Sequence, residues 1–246
     1  MKQIFSKNLI LKNIFSIIKS WKKYYIDFSQ FGEEKVIFNI LERISIKKKI
    51  NPIYIDIGAY NSIKFSNTFK LYQKNWKGVI VDPNKYKIKD WNKIRPNDYI
   101  VNSAVVENQF NQKIIKIFYN EINSADETAY PLSVKKNLTY YEANTIKFLE
   151  VIKLCEKKFS RPFFLNMDIE GNENNLILEL EQVSYKIPLI CIEFFLNSDS
   201  KNFSIFNFKD IKAIKFLENK GYYLVSVCGP SLIFCHKDYW IPYTRL

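Results

Sequence analysis

Two apolar, strand-like runs separated by one helical segment constrain the fold of this chain more than any other feature. Residues 53–57 read IYIDI and residues 78–82 read GVIVD, and the SNTFKLYQKNW between them is predicted to form a helix capped by Ser66 or Asn67. Strand, helix and strand within about 30 residues form a βαβ unit. Because such a unit places its two strands parallel, the chain is predicted to contain a parallel sheet.

The same alternation continues towards the C-terminus. Apolar periodicity predicts further strands at residues 98–106, 113–120, 163–169 and 189–195, and helices at residues 145–159, 172–183 and 208–221. The last two strands, YYLVSVC and SLIFCH, are joined only by Gly229 and Pro230 and must therefore be antiparallel. The predicted fold class is α/β, with a mostly parallel sheet that ends in an antiparallel hairpin and carries helices on both faces.

The chain is long enough for one full domain with a small appendage. It has 246 residues, of which 47% are hydrophobic, and no Gly/Ser or Pro tract marks a linker. Residues 1–25 predict a basic amphipathic helix whose lysines interrupt the apolar run, so this segment is neither a signal peptide nor a membrane span. A second helix is predicted at residues 34–46. We therefore divide the chain into an N-terminal helical extension, residues 1–46, and a main domain, residues 47–246.

The helix at residues 1–25 has three open interpretations. It packs on its own domain, which we favour, or it lies on an acidic bilayer, or it binds a partner protein. These alternatives predict a cytoplasmic protein, with the inner face of the membrane as a second location. The oligomeric state stays open.

The charge distribution and the cysteine spacing argue against nucleic-acid binding and against a structural zinc site. The net charge of +12 favours nucleic acid as a partner, but the lysines are spread along a chain rich in Lys, Asn and Ile, which is the usage of an AT-rich genome. A nucleic-acid partner is therefore not expected. The four cysteines have no paired spacing and His236 is the single histidine, so a structural zinc site is not expected. The cysteines are interpreted as reduced.

The ends of the first two strands predict a nucleoside site. Ligands of open α/β sheets bind beyond the carboxyl ends of the strands, where Asp56, Gly58 and Ala59 follow the first strand. Asp82 closes the second strand, where a carboxylate can accept hydrogen bonds from both ribose hydroxyls; the alternative is that Asp82 starts a turn before Pro83. The loop lacks the further glycines that a pyrophosphate needs, so it suits S-adenosylmethionine better than a dinucleotide.

A second group of acids closes the strands expected beside the first. The segment MDIEGNE contains Asp168, Glu170 and Glu173, and Glu193 ends the following strand. Acids crowded in one cleft repel each other, which can raise the pKa of one of them and create a general base for a hydroxyl. We predict that Asp168 faces the cleft together with Asp56 and takes the proton, with Glu170 or Glu193 as alternatives. Glu173 is interpreted as negative charge in the first turn of a helix.

These segments resemble the FkbM family of methyltransferases. The resemblance rests on YIDIGAYNSIKFSNTFKLYQKNWKGVIVDPN, RPNDYIVNSAVV and the FFLNMDIEGNENNLILEL that leads to CIEF, and above all on the pairing of DIGA with DIEG. It implies a Rossmann-like class I methyltransferase fold with a seven-stranded sheet, S-adenosylmethionine as methyl donor and O-methylation of a hydroxyl. The cofactor-binding residues that it implies are Asp56, Gly58, Ala59, Tyr60, Asp82, Asn102, Ser103 and Ala104, and the DxEG motif is Asp168, Glu170 and Gly171.

One position departs from the family pattern. Tyr60, Asn61 and Ser62 stand where many members have an Asn or His and a second glycine. This departure concerns how the methionine part of the cofactor is held.

The leading hypothesis is therefore an S-adenosylmethionine-dependent O-methyltransferase that acts on a sugar, nucleotide-sugar or glycan precursor, in bacterial surface polysaccharide biosynthesis. The alternatives are an RNA methyltransferase and a non-catalytic nucleoside-binding or interaction protein. Residues 120–144 are predicted to cover the acceptor, with Tyr130, Tyr140 and Tyr141 available for stacking on sugar rings. No metal site is predicted, although Asp168, Glu170 and Glu193 have the oxygen ligands that magnesium prefers.

Overall fold

The fold was determined from a computed structural model that describes residues 26–119, 124–126, 139–169, 171–194 and 211–242. The predicted helix at residues 1–25 lies outside these residues, as do Tyr130 and Glu170. The strands are β1 Ile53–Ile57, β2 Lys77–Val81, β3 Tyr99–Val101, β4 Ala104–Val106, β5 Ile114–Tyr119, β6 Ser124–Asp126, β7 Thr139–Lys147, β8 Phe164–Met167, β9 Leu189–Glu193, β10 Tyr222–Cys228 and β11 Ser231–His236. The helices are α1 Glu33–Lys47, α2 Phe69–Gln73, α3 Ile88–Ile94, α4 Phe148–Lys158, α5 Glu173–Leu178 and α6 Lys212–Asn219, with 3-10 turns at Lys85–Lys87 and Glu179–Gln182.

The main sheet has seven strands in the order β10-β11-β9-β8-β1-β2-β3. All neighbours are parallel except those of β11, which pairs antiparallel with both β9 and β10. The predicted Rossmann-like methyltransferase fold is confirmed. The chain builds β1, β2 and β3 in one direction and then returns to place β8 on the other side of β1, so the strand order reverses between β1 and β8. A ligand crevice is expected at this point.

Helices cover both faces of this sheet. The first face carries α4, α5 and α6, whose side chains pack on Ile55, Leu165 and Ile190. The opposite face carries α1, whose Ile37, Ile40, Leu41 and Ile44 are buried at helical spacing against the alternate residues of the same strands, Tyr54, Phe164 and Leu189 among them. The helix predicted at residues 34–46 is therefore part of the main core, while the domain boundary at residue 46 stays a prediction.

Two of the predicted elements have different boundaries in the structure. The strand predicted at 98–106 is two strands, because the chain turns at Asn102 and Ser103 and β4 leaves the main sheet. β4 joins a second sheet in the order β4-β7-β5-β6. The helix predicted from residue 145 begins at Phe148, because residues 145–147 complete β7. Periodicity did not separate these cases, since a long amphipathic strand next to a helix blurs the point at which the period changes.

The loop predicted at 120–144 is likewise built differently where the structure describes it. Residues 139–144 belong to β7, and both Tyr140 and Tyr141 lie opposite β5, at Phe118 and Ile117. Tyr140 is half exposed and its ring lies 5.6 Å from that of Phe118. The proposed stacking of these tyrosines on a sugar stays a prediction.

Candidate functional site

The site lies on the α1 face of the sheet, where apolar strands end in polar residues. Leu189 and Cys191 of β9 face α1, so Glu193, two residues further, lies on the same side. Phe164 of β8 also faces α1, and the same alternation brings Asn166 and Asp168 to this side. In register, Asn166 lies between Asp56 of β1 and Cys191 of β9. The carboxyl ends of β8 and β9 therefore deliver Asp168 and Glu193 to one edge.

The two motif segments meet at Gly58. The backbone N–H of Asp168 donates to the carbonyl of Ile57 at 2.9 Å, and Gly58 donates to Val81 O at 2.9 Å. Gly58 has φ +75°, and a Cβ atom there would lie 1.5 Å from the carbonyl oxygen of Asp168. Only glycine permits both this backbone conformation and this approach. The loop after β1 and the loop after β8 are thus in direct contact, as the sequence predicts.

Asp82 joins the ends of β1, β2 and β3. Its carboxylate accepts the N–H of Tyr60 at 2.9 Å and that of Asn84 at 2.8 Å. The Asn102 side-chain amide donates to the Asp82 carbonyl at 2.9 Å. The bond from Asn84 is the turn contact that the alternative interpretation of Asp82 predicts. The bond from Tyr60 ties Asp82 to the loop after β1, at the same edge of the sheet; ribose binding stays a prediction.

The other predicted cofactor residues differ in exposure. Ala59, Ser103 and Ala104 are buried, and the Ser103 hydroxyl donates to the Asn102 carbonyl. Tyr60 is 43% exposed, has φ +49°, and its ring lies 6.1 Å from that of Phe65, which is also exposed and has φ +58°. A left-handed backbone is unfavourable for a residue with a side chain, so the loop stores strain at both aromatic positions.

Asp56 is more deeply buried than the sequence suggests. It was expected to face the cleft together with Asp168, but it is 1% exposed and pairs in register with Asn166, two residues before Asp168. Its carboxylate accepts hydrogen bonds from the Thr68 hydroxyl and from the Asn166 amide. Burial raises the pKa of Asp56, while Arg95 and these two donors act against that rise. A role of Asp56 in cofactor binding stays a prediction.

Arg95 is the cation beneath the crevice. It is fully buried and donates to Asp98 at 2.8 Å, to the Tyr54 hydroxyl at 2.6 Å and to the Thr68 hydroxyl at 2.9 Å. Its guanidinium also lies 4.8 Å from the centre of the Trp91 ring, within the range of a cation–π contact. We call Tyr54, Asp56, Ser66, Thr68, Arg95, Asp98 and Asn166 the arginine network. It holds the N-terminal end of α2 and the loop before it against β1.

Asp168 and Glu193 form a carboxyl pair at the edge of the sheet. Burial raises the pKa of the half-buried Glu193, a hydrogen bond with Asp168 acts against the rise, and the nearby Glu33 adds to it. The two carboxyl groups lie side by side at the ends of the neighbouring strands β8 and β9. The pair can therefore accept a proton when it is ionised, which is the chemistry predicted for Asp168 and Glu193. Glu170, the third predicted acid, lies outside the described residues.

Glu173 fixes the loop that carries the DIEG motif. It lies in the first turn of α5, as predicted, and it is 2% exposed. Its carboxylate accepts the N–H groups of Ile169 at 3.1 Å and Gly171 at 3.1 Å. The role of Glu173 thus extends beyond negative charge in a helical turn, because it closes the loop that begins at Asp168.

The sequence analysis missed several residues of this site. Arg95, Thr68 and Asn166 come from separate segments, and Glu33 comes from α1. One usable signal was that Arg95 is one of four arginines in a lysine-rich chain. Its planar guanidinium carries five N–H donors in a fixed geometry, which suits several acceptors around one buried group.

Within the described ranges, no three His, Cys, Asp or Glu side chains are arranged to hold a metal ion. None of the helices described here is long and apolar enough to cross a membrane.

Comparison with known proteins adds one match. Residues 56–224 match the family model of the methyltransferase FkbM domain. No curated protein and no solved structure matches the chain. The match begins at Asp56 and ends in β10, so it includes Gly58, Asp82, Asp168 and Glu193 and leaves out both α1 and β11.

Proposed function

The chain belongs to the FkbM methyltransferase family, and we propose that it transfers a methyl group from S-adenosylmethionine to a hydroxyl group of a sugar or glycan precursor. The single observation that carries this proposal is the contact of Gly58 with Asp168 at the switch point of the sheet, with Asp82 tied to the same loop. The contact supports the proposal because the loop after β1 and the carboxyl pair lie side by side.

The residues of the crevice fit S-adenosylmethionine in their chemistry. A carboxylate at the position of Asp82 is the acceptor that ribose hydroxyls require, and the absence of a side chain at Gly58 leaves backbone next to the crevice. The cofactor, when bound, supplies an electrophilic methyl group on a positively charged sulfur. Asp82 and Asn102 would hold the nucleoside, and the loop at residues 58–60 would hold its amino-acid part.

The carboxyl pair performs the proton transfer in this proposal. An acceptor hydroxyl is a poor nucleophile until its proton is removed, and general-base assistance contributes about 10²–10⁴-fold to such reactions. A carboxylate oxygen of Asp168, assisted by Glu193, accepts that proton. Glu173 holds the loop of Asp168 and so keeps the base in place, which matters because alignment supplies a large part of the rate.

We propose the cytoplasm as the location of the reaction and surface polysaccharide assembly as its setting. The four cysteines are free and buried, which supports a reducing compartment. The setting is supported by the family resemblance.

The first test identifies the acceptor. Purified protein is incubated with methyl-labelled S-adenosylmethionine and the nucleotide-sugar and glycan pool of its own organism, and labelled products are separated. We expect one labelled sugar product, formed at a similar rate in 50 mM and 200 mM salt. Label in RNA, with binding that weakens steeply over this salt range, would contradict the proposal in favour of an RNA substrate. Activity that disappears in EDTA would add a metal to the site.

The second test separates binding from chemistry. Asp82→Asn removes a charged acceptor and should weaken S-adenosylmethionine binding about 10–100-fold by calorimetry, since hydrogen bonds to charged groups contribute about 1.5–3 kcal/mol. Asp168→Asn should bind the cofactor normally and react at least about 100-fold more slowly. The exposed Asp90→Asn is the matched control for both. Normal turnover by Asp168→Asn would exclude Asp168 as the base.

A further inference from the structure

The beginning of α1 reaches the carboxyl pair from outside the family match. Glu33 is the first residue of α1 and is 1% exposed. One of its carboxylate oxygens accepts the Ser231 hydroxyl at 3.0 Å, and the other accepts the N–H of Phe31 at 2.8 Å. The ring of Phe31 lies so close to Gly229 that a Cβ atom there would be 2.7 Å from it. These contacts fix the helix start on the β10–β11 turn.

Strand register connects Glu33 to the candidate base. Ser231 of β11 lies directly opposite Glu193 of β9, and the segment after β9 is tied to the same turn because Phe194 N–H donates to Pro230 O. Glu193 in turn hydrogen-bonds with Asp168, whose backbone meets Gly58. Across the edge of the sheet the order is therefore Gly58, Asp168, Glu193, Ser231 and Glu33. We call the last four residues of this series the acid row.

We infer that Glu33 is a positioning residue of the active site: Ser231 holds its carboxylate beside Glu193, and through Glu193 it acts on the candidate base. The inference rests on the proposed function in that it takes the Asp168–Glu193 pair to be the base. Neither Glu33 nor Ser231 lies in the matched range, residues 56–224. The segment before the family domain thus supplies part of the machinery.

The physical reason is repulsion between buried carboxylates. A negative charge beside the pair makes it harder to ionise, so the pair holds its proton to higher pH and becomes a stronger base for a hydroxyl. Other titratable groups lie in the same environment, and nearby acids raise their pKa. Glu193 raises the pKa of Glu173 of α5. The pKa of Cys191 of β9 is raised by Glu33, Asp168 and Glu193, and that of Cys228 of β10 by Glu33 and Asp27. All of these are acids, so none of them cancels the effect of Glu33.

The test is a carboxyl titration of the full-length protein, read by NMR with ¹³C-labelled Asp and Glu and assigned with Asp168→Asn and Glu193→Gln. In Glu33→Gln, the midpoint of Glu193 should move to lower pH by about half a unit or more, the size expected for one nearby unit charge. Glu34→Gln is the matched control, because Glu34 is the next residue, is also buried and also accepts two hydrogen bonds, in its case from the N–H groups of Phe28 and Lys70. It should leave the Glu193 midpoint in place.

Ser231→Ala is the second variant. It removes only the hydroxyl that holds Glu33 and should shift Glu193 in the same direction by a smaller amount. If Glu33→Gln does not fold, as judged by circular dichroism, Ser231→Ala decides the question. An unchanged Glu193 midpoint in the folded variants would overturn the inference.

Enzymatic assays then separate this inference from the proposed function. With an acceptor found by the labelling experiment, the acidic limb of the pH–rate profile should move to lower pH in Glu33→Gln, while S-adenosylmethionine binding by calorimetry stays the same. If the wild-type protein neither binds S-adenosylmethionine nor releases S-adenosylhomocysteine, the proposed function fails. The titration is read in the free protein, so it tests the link from Glu33 to Glu193 in either case.

Discussion

The arginine network and the acid row lie on the same face of the same sheet but surround their buried carboxyl groups differently. In the network, Asp56 and Asp98 are matched by the guanidinium of Arg95 and by hydroxyl and amide donors. In the acid row, Asp168 and Glu193 bond to each other, and Glu33 lies beyond them. A buried ion pair adds little to the free energy of unfolding, but removing one partner lowers it strongly. Buried acids without a cation lower the free energy of unfolding and are typical of functional sites.

The causes of the pKa shifts show the same contrast. Burial raises the pKa of Asp98, and Arg95, Tyr54 and the N–H of Gly78 all act against the rise. For Glu193, burial raises the pKa and Glu33 raises it further, while Asp168 alone acts against it. The pKa is raised in both groups, and the contrast lies in the neighbouring charge: the cation Arg95 opposes the rise at Asp98, whereas the acid Glu33 adds to the rise at Glu193.

The largest expected effect tests the network. Arg95→Met leaves two buried carboxylates without their cation and should lower the free energy of unfolding by about 3–5 kcal/mol, measured by urea denaturation. Arg161→Met is the control, because Arg161 is exposed and its guanidinium lies 4.8 Å from the centre of the Tyr185 ring; its loss should stay below about 1 kcal/mol. Equal losses in the two variants would show that the network is not the source of stability that its geometry suggests.

The sequence predicts the strands of this site better than its connections. The strand ends at Asp56, Asp82, Asp168 and Glu193 follow from periodicity and turn residues, and parallel topology brings such ends to one edge whatever the side chains do. The contact of the DIGA and DIEG loops was predictable for this reason.

The connections depend on contacts between distant segments. Arg95 and Tyr54 are 41 residues apart, and Ser231 and Glu33 are 198 apart. Neither pair has a local pattern, because a buried polar contact needs only two complementary groups at the right place in space. The burial of Asp56 was missed for the same reason. The sequence pattern of an acid at a strand end is the same whether its side chain faces a cleft or accepts hydrogen bonds from buried donors.

The second prediction concerns Gly58, the contact between the cofactor loop and the acid row. Gly58→Ala forces a Cβ atom into the carbonyl of Asp168 and should cost at least about 3 kcal/mol of stability, with loss of methyl transfer. Gly221→Ala is the control, since Gly221 also has a positive φ, of +85°, but its nearest neighbours are flexible atoms of Lys237 at 3.2 Å. Its cost should be about 1–2 kcal/mol. The free energy of unfolding of both variants is measured by thermal and urea unfolding. Equal decreases in the two variants would contradict the importance of the Asp168 contact.

The third prediction uses Glu34, a buried carboxylate of an intermediate kind. It accepts backbone N–H groups from Phe28 and Lys70, and burial raises its pKa to about 7. Because the folded pKa lies above the unfolded value, its contribution to stability is complete below about pH 4.5 and is lost as the pH rises to about 7. The wild type should therefore lose about 2–3 kcal/mol between pH 4.5 and pH 8 relative to Glu34→Gln. Parallel pH dependence of the two proteins, measured by urea unfolding, would show that Glu34 titrates normally.

The smallest effect, and the sharpest contrast with Arg95, is expected in the acid row. The raised pKa of Glu193 means that the wild type loses stability as the pH rises through the folded value, and Glu193→Gln avoids that loss. At pH 8 this variant should therefore be more stable than the wild type by about 0.5–1 kcal/mol, a typical gain when an unfavourable functional group is removed. The gain should disappear at low pH, where Glu193 is protonated. Its methyl transfer should fall, because the base has lost its partner.

Glu150→Gln, at an exposed position in the first turn of α4, is the control. If removing the Glu193 charge lowered the free energy of unfolding by more than about 1 kcal/mol at pH 8, the acid row would be a stabilising element, and the distinction between the two groups would be wrong.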